Sequence, residues 1–153
     1  MPKGVFQVPF PINEPIYSYA PGSEERAELQ ATYKAMYNQA PIDVPMYIGS
    51  EEVRTSNKVM MSPPHEHKKV LGHYNVGDAS HVTAAINAAL KAKDAWAALP
   101  WHQRASIFIK AAELLAGPFR QRMNAATMLA QSKNAFQAEI DAACEMIDFF
   151  RMN

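Results

Sequence analysis

Residues 132–153, SKNAFQAEIDAACEMIDFFRMN, decide how this chain is read. Asn134 stands where a helix N-cap belongs, and Gln137, three residues on, supplies the reciprocal half of a capping box. Phe136, Ile140, Ala143, Cys144, Ile147 and Phe150 recur at helical spacing and form one apolar face. Asp141, Glu145 and Asp148 project together from the polar side. After Phe149-Phe150-Arg151 comes no Gly cap, Pro stop or polar tail, the signals on which helices commonly end. The expectation is a helix interrupted within its own pattern. The chain is then the front piece of a longer protein, with much of its chemistry beyond Asn153.

Working back toward the N-terminus, the chain stays helical as far as Gly77. Pro118 starts a helix with Phe119, Met123, Ala126, Met128 and Leu129 apolar. Pro100 opens the one before it, with Ile107, Phe108, Ala111, Leu114 and Leu115 as core residues and Gly117 as its C-terminal cap. Asp78 caps a helix running to about Ala97, whose apolar side is Val82, Ala85, Ile86, Ala89, Leu90 and Trp96. Residues 42–74 read as short strands. Val44 to Ile48 and Val53 to Thr55 form a hairpin around Gly49-Ser50-Glu51-Glu52, and Lys58 to Met61 and Lys69 to Asn75 are further extended pieces. Ser23-Glu24-Glu25 has the N-cap and acidic first turn of a helix that ends at Pro41, with Leu29, Tyr33, Met36 and Tyr37 as its stripe.

Nine of the 11 prolines lie at or before Pro64. Five fall within residues 1–22, which therefore cannot hold a regular helix. This segment reads as an extended arm anchored by Phe6, Val8, Phe10, Ile16, Tyr17 and Tyr19. The expected fold is an α-rich α+β fragment: about five helices with a small β hairpin, residues 23–153 forming one incomplete domain.

Composition narrows the function. Lys plus Arg and Asp plus Glu are 15 each, so no net charge draws the chain to nucleic acid or an anionic membrane. No apolar run approaches the ~20 residues of a transmembrane helix. The first residues carry neither a secretory h-region nor an Arg-rich presequence, so the expected location is the cytoplasm, with the mitochondrial matrix as the alternative for a eukaryotic source. The single cysteine, Cys144, suits a reducing compartment. It lies mid-helix on the apolar face beside Asp141, Glu145 and Asp148, where a thiol is structural rather than nucleophilic. His65 and His67 share one side of an extended stretch, but His73, His81 and His102 lack the spacing to complete a zinc site, so no metal is expected. The six glycines form neither GxGxxG nor GxxxxGK[ST]. Arg104, Arg120, Arg122 and Arg151 are interleaved with acids and read as surface residues. The carboxylates of Asp141, Glu145 and Asp148 read as a solvated helix face, or as one on which a carboxylate meets a pocket.

Several strings add a resemblance. Ser62 to Asn75 (SPPHEHKKVLGHYN), the helix from Asp78 to Trp96, Leu99-Pro100 with Arg104, and the closing helices resemble the N-terminal part of the aldehyde dehydrogenase superfamily. The strings Gly117-Pro118, Ala125-Ala126-Thr127-Met128, Gln131-Ser132-Lys133, Gln137 to Ala143 and Ile147 to Arg151 resemble its 1-pyrroline-5-carboxylate dehydrogenase (L-glutamate-γ-semialdehyde dehydrogenase) branch. The resemblance implies an NAD-dependent enzyme of proline catabolism, in which a cysteine thiolate attacks the semialdehyde, hydride passes to NAD and a thioester is hydrolysed to glutamate. It implies a parent with a Rossmann-type NAD domain, of which this is the first part. It carries one site residue onto this chain: Glu145 matches a glutamate lining the substrate pocket. The nucleophilic cysteine, the base glutamate and the NAD-contacting loops have no counterpart here, so neither catalytic nor cofactor-binding residues are assigned and the chain alone is expected to be inactive. Helices shaped to meet an absent sheet are expected to expose apolar faces and self-associate. The rivals are a self-standing helical interaction or scaffold module, and a metal protein using His65 and His67.

Overall fold

The computed structural model describes residue 10 and residues 12–152. Its elements, in chain order, are α1 (Glu24–Asn38), β1 (Ile42–Val44), β2 (Met46–Ile48), β3 (Glu51–Val53), β4 (Lys58–Met61), β5 (Gly72–Asn75), α2 (Ala79–Ala98), α3 (Trp101–Ala116), α4 (Arg120–Gln131), α5 (Ala135–Ala138), a π-helical segment (Glu139–Cys144) and α6 (Glu145–Met152). The α-rich α+β reading holds. The caps fall where the sequence puts them. Ser23 Oγ accepts from the Arg26 N–H, Asp78 caps α2 through Ser80 and His81, and Asn134 and Gln137 complete their capping box.

The strands make two small sheets rather than one hairpin with satellites. β1 runs parallel to β5, and β4 pairs antiparallel on its other edge, giving the order β1-β5-β4. Asn75 ties this sheet together: its Oδ1 accepts from the Thr55 N–H, and its Nδ2 donates to Asp43 Oδ1 and Val44 O. β2 and β3 form the hairpin, in register Met46↔Val53 to Ile48↔Glu51. Its turn is therefore Gly49-Ser50 alone, with Gly49 at φ +62°. Val44 belongs to β1 and the parallel pairing, which no local pattern announces because it joins strands 30 residues apart (Ile42↔Gly72).

The core lies between α1, α4 and the closing helices. Tyr19, Leu29 and Ala125 are buried together, with Tyr33, Met36, Met128 and Ala135 packed around them. Ala112, Leu129, Ala138, Ala143 and Ile147 are buried as well. The expected cores of α2 and α3 are different. No residue of α2 is buried, and Val82, Ile86 and Leu90 are all more than half exposed. On α3 only Ala112 is buried, while Ile107, Phe108 and Leu114 face outward. The apolar stripes exist as read, but the described residues do not cover them.

The described part of the arm, residue 10 and residues 12–22, holds no helix or strand and is tied to the last helix and α4. Its hold is polar rather than apolar. Phe10 and Ile16 are exposed, Tyr17 is 39% exposed, and only Tyr19 among the expected anchors is buried. Phe6 and Val8 lie outside the described residues. What fixes the arm is Glu14, a buried acid that no sequence pattern singles out.

Candidate functional site

Glu14 leads to a buried ionic cluster that the sequence reading misses. Arg120, read above as a surface residue, is only 2% exposed, and Glu139 is fully buried. Arg120 Nε donates to Glu139 at 3.2 Å and its Nη2 forms a second, very short bond to Glu139 Oε1. Nη1 donates to Glu14 Oε1 at 2.5 Å, and Nη2 also reaches the Pro15 carbonyl at 2.6 Å. The Tyr17 ring stacks over the guanidinium, 3.8 Å from ring centroid to Cζ. Arg151 closes the far side by pairing with Glu14 Oε2.

Glu139 is bonded on every side. Besides Arg120 it accepts from the Tyr17 N–H at 2.8 Å, the Tyr19 hydroxyl at 2.8 Å and Asn124 Nδ2 at 2.7 Å. Burial pushes its carboxyl upward, but the bonds from Arg120, Tyr17, Tyr19 and Asn124 outweigh that, and the group lies below the ordinary glutamate range. Burial, with the Glu139 charge behind it, raises the Tyr19 phenol well above its usual value. Burial likewise lowers the Arg120 guanidinium, and the bonds to Glu139 and Glu14 more than reverse it. The cluster is a permanent ion pair, not a proton donor or acceptor at neutral pH.

Cys144 sits against this cluster. Its Sγ lies 3.3 Å from Arg120 Nη2, 3.6 Å from Glu139 Oε1 and 3.8 Å from the Pro15 carbonyl. Burial, then the Glu139 charge, pushes the thiol up to about 11. It is the buried structural cysteine expected, although Glu139 rather than Asp141, Glu145 or Asp148 supplies the unfavourable charge.

The last helix is not a single α-helix. From Glu139 to Cys144 it is π-helical, and the Glu145 N–H bonds to Ile140 O, five residues back. The extra residue explains the mismatch with the expected face. Ala138, Glu139, Ala143, Cys144 and Ile147 turn inward, whereas Phe136 is exposed and Ile140 and Phe150 are only half-buried.

The three carboxylates on the other side meet three fates. Asp141 pairs with Lys133 Nζ at 2.8 Å. Asp148 is no solvated acid: it accepts from Asn13 Nδ2 and from the Glu14 N–H, both at 2.7 Å, and helps pin the arm. Glu145, the first residue of α6, is exposed, and its carboxylate makes no hydrogen bond or ion pair with a described residue. On the same helix Met146, Phe149 and Met152 are also exposed. An exposed carboxylate on a helix anchored from beneath can accept a charge-assisted hydrogen bond from a cationic group.

The remaining candidates hold less. His65 Nδ1 lies 2.6 Å from Ser132 Oγ, a residue in the left-handed region at φ +57°, so His65 braces the start of the last helix. Among the described residues no three His, Cys, Asp or Glu gather around a common point. A surface cleft of about 330 Å³ opens between Tyr19, Arg26, Leu29, Tyr33 and Met128, away from Glu145. Among the described residues, the start of α2 does not fit a dinucleotide phosphate. β5 leads into α2, but the first amides of α2 are taken by Asp78, whose carboxylate accepts from the Ser80 and His81 N–H groups. Bonds from Ser80 and His81 hold that carboxyl far below its usual range, so a negative charge already stands where a phosphate would bind. Gly72 is close to backbone, not to open space: a Cβ there would lie 2.2 Å from Ile42 O.

Comparison with known proteins places the chain. It is 50% identical over 146 residues to the Delta-1-pyrroline-5-carboxylate dehydrogenase of Agaricus bisporus, covering 95% of this chain and 27% of that protein. It is 42% identical over 141 residues to the mitochondrial Delta-1-pyrroline-5-carboxylate dehydrogenase of Mus musculus, covering 92% and 25%. The fold matches a crystal structure of the Delta-pyrroline-5-carboxylate dehydrogenase from Mycobacterium tuberculosis bound with NAD and cobalamin. The TM-score is 0.94 at 44% identity, over 99% of this chain and 28% of that one. The chain thus spans about a quarter of the length of the relatives it matches. The model of the aldehyde dehydrogenase family matches residues 52–153, two thirds of the sequence, and the chain belongs to that family.

Proposed function

We propose that this chain works as part of an NAD-dependent dehydrogenase that oxidises L-glutamate γ-semialdehyde, formed from 1-pyrroline-5-carboxylate, to glutamate in proline catabolism. Within it the chain supplies a substrate-binding carboxylate and the scaffold that holds it, as the opening part of a Rossmann-type NAD domain. The carrying observation is Glu145: exposed, its carboxylate paired with no described residue, on a helix that also exposes Met146, Phe149 and Met152, in a chain similar along almost its whole length to enzymes of that name. Its role is to receive the substrate's α-ammonium group by a charge-assisted hydrogen bond. NAD, when bound, supplies the hydride acceptor, and it is held by residues outside these 153. The buried thiol of Cys144, raised to about 11, is no nucleophile at neutral pH, so these residues alone oxidise no aldehyde. The mouse relative is named mitochondrial; the mitochondrial matrix and the cytoplasm are both reducing and compatible with a free Cys144.

The test is Glu145→Gln in the enzyme that contains this chain. Losing one charge-assisted hydrogen bond should raise KM for the semialdehyde about tenfold or more, with KM for NAD unchanged. Unchanged KM and kcat would remove Glu145 from the pocket.

A further inference from the structure

Glu145 begins immediately after the π-helical segment, and the buried cluster grips both ends of that segment. In a regular α-helix, which advances about 100° per residue, Glu139 and Cys144 would point about 140° apart. Here both face the same buried site, with Cys144 Sγ 3.6 Å from Glu139 Oε1 and 3.3 Å from Arg120 Nη2. One guanidinium therefore holds the first and last residues of the π turn on a single side. The turn behaves as one extra residue in the helix, and everything after it is rotated by about 100° relative to the uninterrupted pattern. The direction of Glu145 is set by that rotation.

We propose that Glu139 and Arg120 are positioning residues that hold the π turn and so aim Glu145 at the substrate's ammonium group. The inference rests on the substrate-binding reading of Glu145 given above. Neither residue touches substrate, since both are buried beneath the helix and Glu139 is saturated by Arg120, Tyr17, Tyr19 and Asn124. Their effect passes through the backbone bond from the Glu145 N–H to Ile140 O.

The experiment uses the enzyme that contains this chain, with L-glutamate γ-semialdehyde and NAD as the varied substrates. Glu139→Gln keeps the shape but removes the charge that Arg120 grips. It is expected to relax the turn and raise KM for the semialdehyde about tenfold or more, the scale of one charge-assisted hydrogen bond, while KM for NAD stays unchanged. Deleting Asp141 in the same background removes the extra residue, so a regular α-helix again presents Glu145 on its original side and KM returns to the unsubstituted value. Packing damage alone would not be repaired by a deletion. A folded Glu139→Gln enzyme with unsubstituted KM overturns the proposal, as does a raised KM that the deletion fails to restore. Should Glu139→Gln not fold, deletion of Asp141 by itself decides: unchanged KM supports the proposal and a tenfold rise defeats it. If Glu145→Gln proves neutral, the substrate reading fails separately. A crystal structure of Glu139→Gln then judges the positioning claim, supported if the Glu145 N–H moves to Asp141 O and overturned if it stays on Ile140 O.

Discussion

Replacing Arg120 by Met should be among the most damaging single changes available in the described structure. The side chain is 2% exposed and binds two buried acids, Glu14 and Glu139, plus the Pro15 carbonyl. Met matches the aliphatic stem but removes the charge. Glu14 keeps Arg151, whereas Glu139 is left as a buried carboxylate facing the Tyr17 N–H, Tyr19, Asn124 and the Cys144 thiol, with no cation beside it among the described residues. Breaking a buried pair from one side costs about 3–5 kcal/mol. For a protein of this size that lowers the melting temperature by on the order of 10 °C. The assay is equilibrium urea unfolding followed by far-ultraviolet circular dichroism, run as a cycle with Glu139→Gln and the double variant. Because much of the loss is the stranded charge, the double variant should lose less than the sum of the two singles, with a coupling of about 1–3 kcal/mol. The pH dependence carries a sign. In the unsubstituted protein the Glu139 carboxyl is depressed, so its stabilisation is present above the unfolded value of about 4.3 and fades as pH falls through the lower folded value. Without Arg120 the folded value rises, protonation relieves the stranded charge, and the deficit should shrink in acid. A loss below about 1 kcal/mol, or strictly additive singles, would refute the account of Arg120 as the centre of a coupled cluster.

Gly72→Ala should disrupt the three-stranded sheet, because the added methyl would lie 2.2 Å from Ile42 O. A destabilisation of about 1–3 kcal/mol in urea unfolding checks it. Asn134→Ala removes the acceptor of the Gln137 N–H and should cost about 0.5–2 kcal/mol, read by the same method. Cys144, buried with its thiol raised to about 11, should resist iodoacetamide at neutral pH in the native state and react at the rate of a free thiol in urea; rapid native labelling would contradict the packing. The bare faces of α2 and α3 should make this chain, on its own, self-associate in sedimentation experiments, and a concentration-independent monomer would count against that.

Most of the frame is legible in the residues because it is written locally. Caps such as Asp78 and Asn134, the Gly117 stop and the stripe of α1 act within one or two turns, so spacing alone finds them. The expected stripe of α4 fails, since only Leu129 of it is buried and the helix turns Arg120, Asn124, Ala125 and Thr127 inward instead. The cluster under Glu145 is not written that way. Glu14 and Arg120 are 106 positions apart, and each looks like an ordinary surface charge in its own window. Glu139 is hidden by the π turn: read at 3.6 residues per turn, it falls off the apolar face that the extra residue moves it onto. A parallel pair such as β1–β5 is invisible for the same reason, since only the folded topology brings Ile42 beside Gly72. Glu145 itself came from resemblance, and the structure adds the turn and the cluster on which its direction depends.

The arm also orders events in time. Asn13 and Glu14 are made well before their partners, since Asp148 and Arg151 lie 135 and 137 positions later. During synthesis from the ribosome the contacts of Asn13 and Glu14 with α6 must therefore wait until those later residues have emerged. Their docking is a late and entropically slow closure across a long loop of chain.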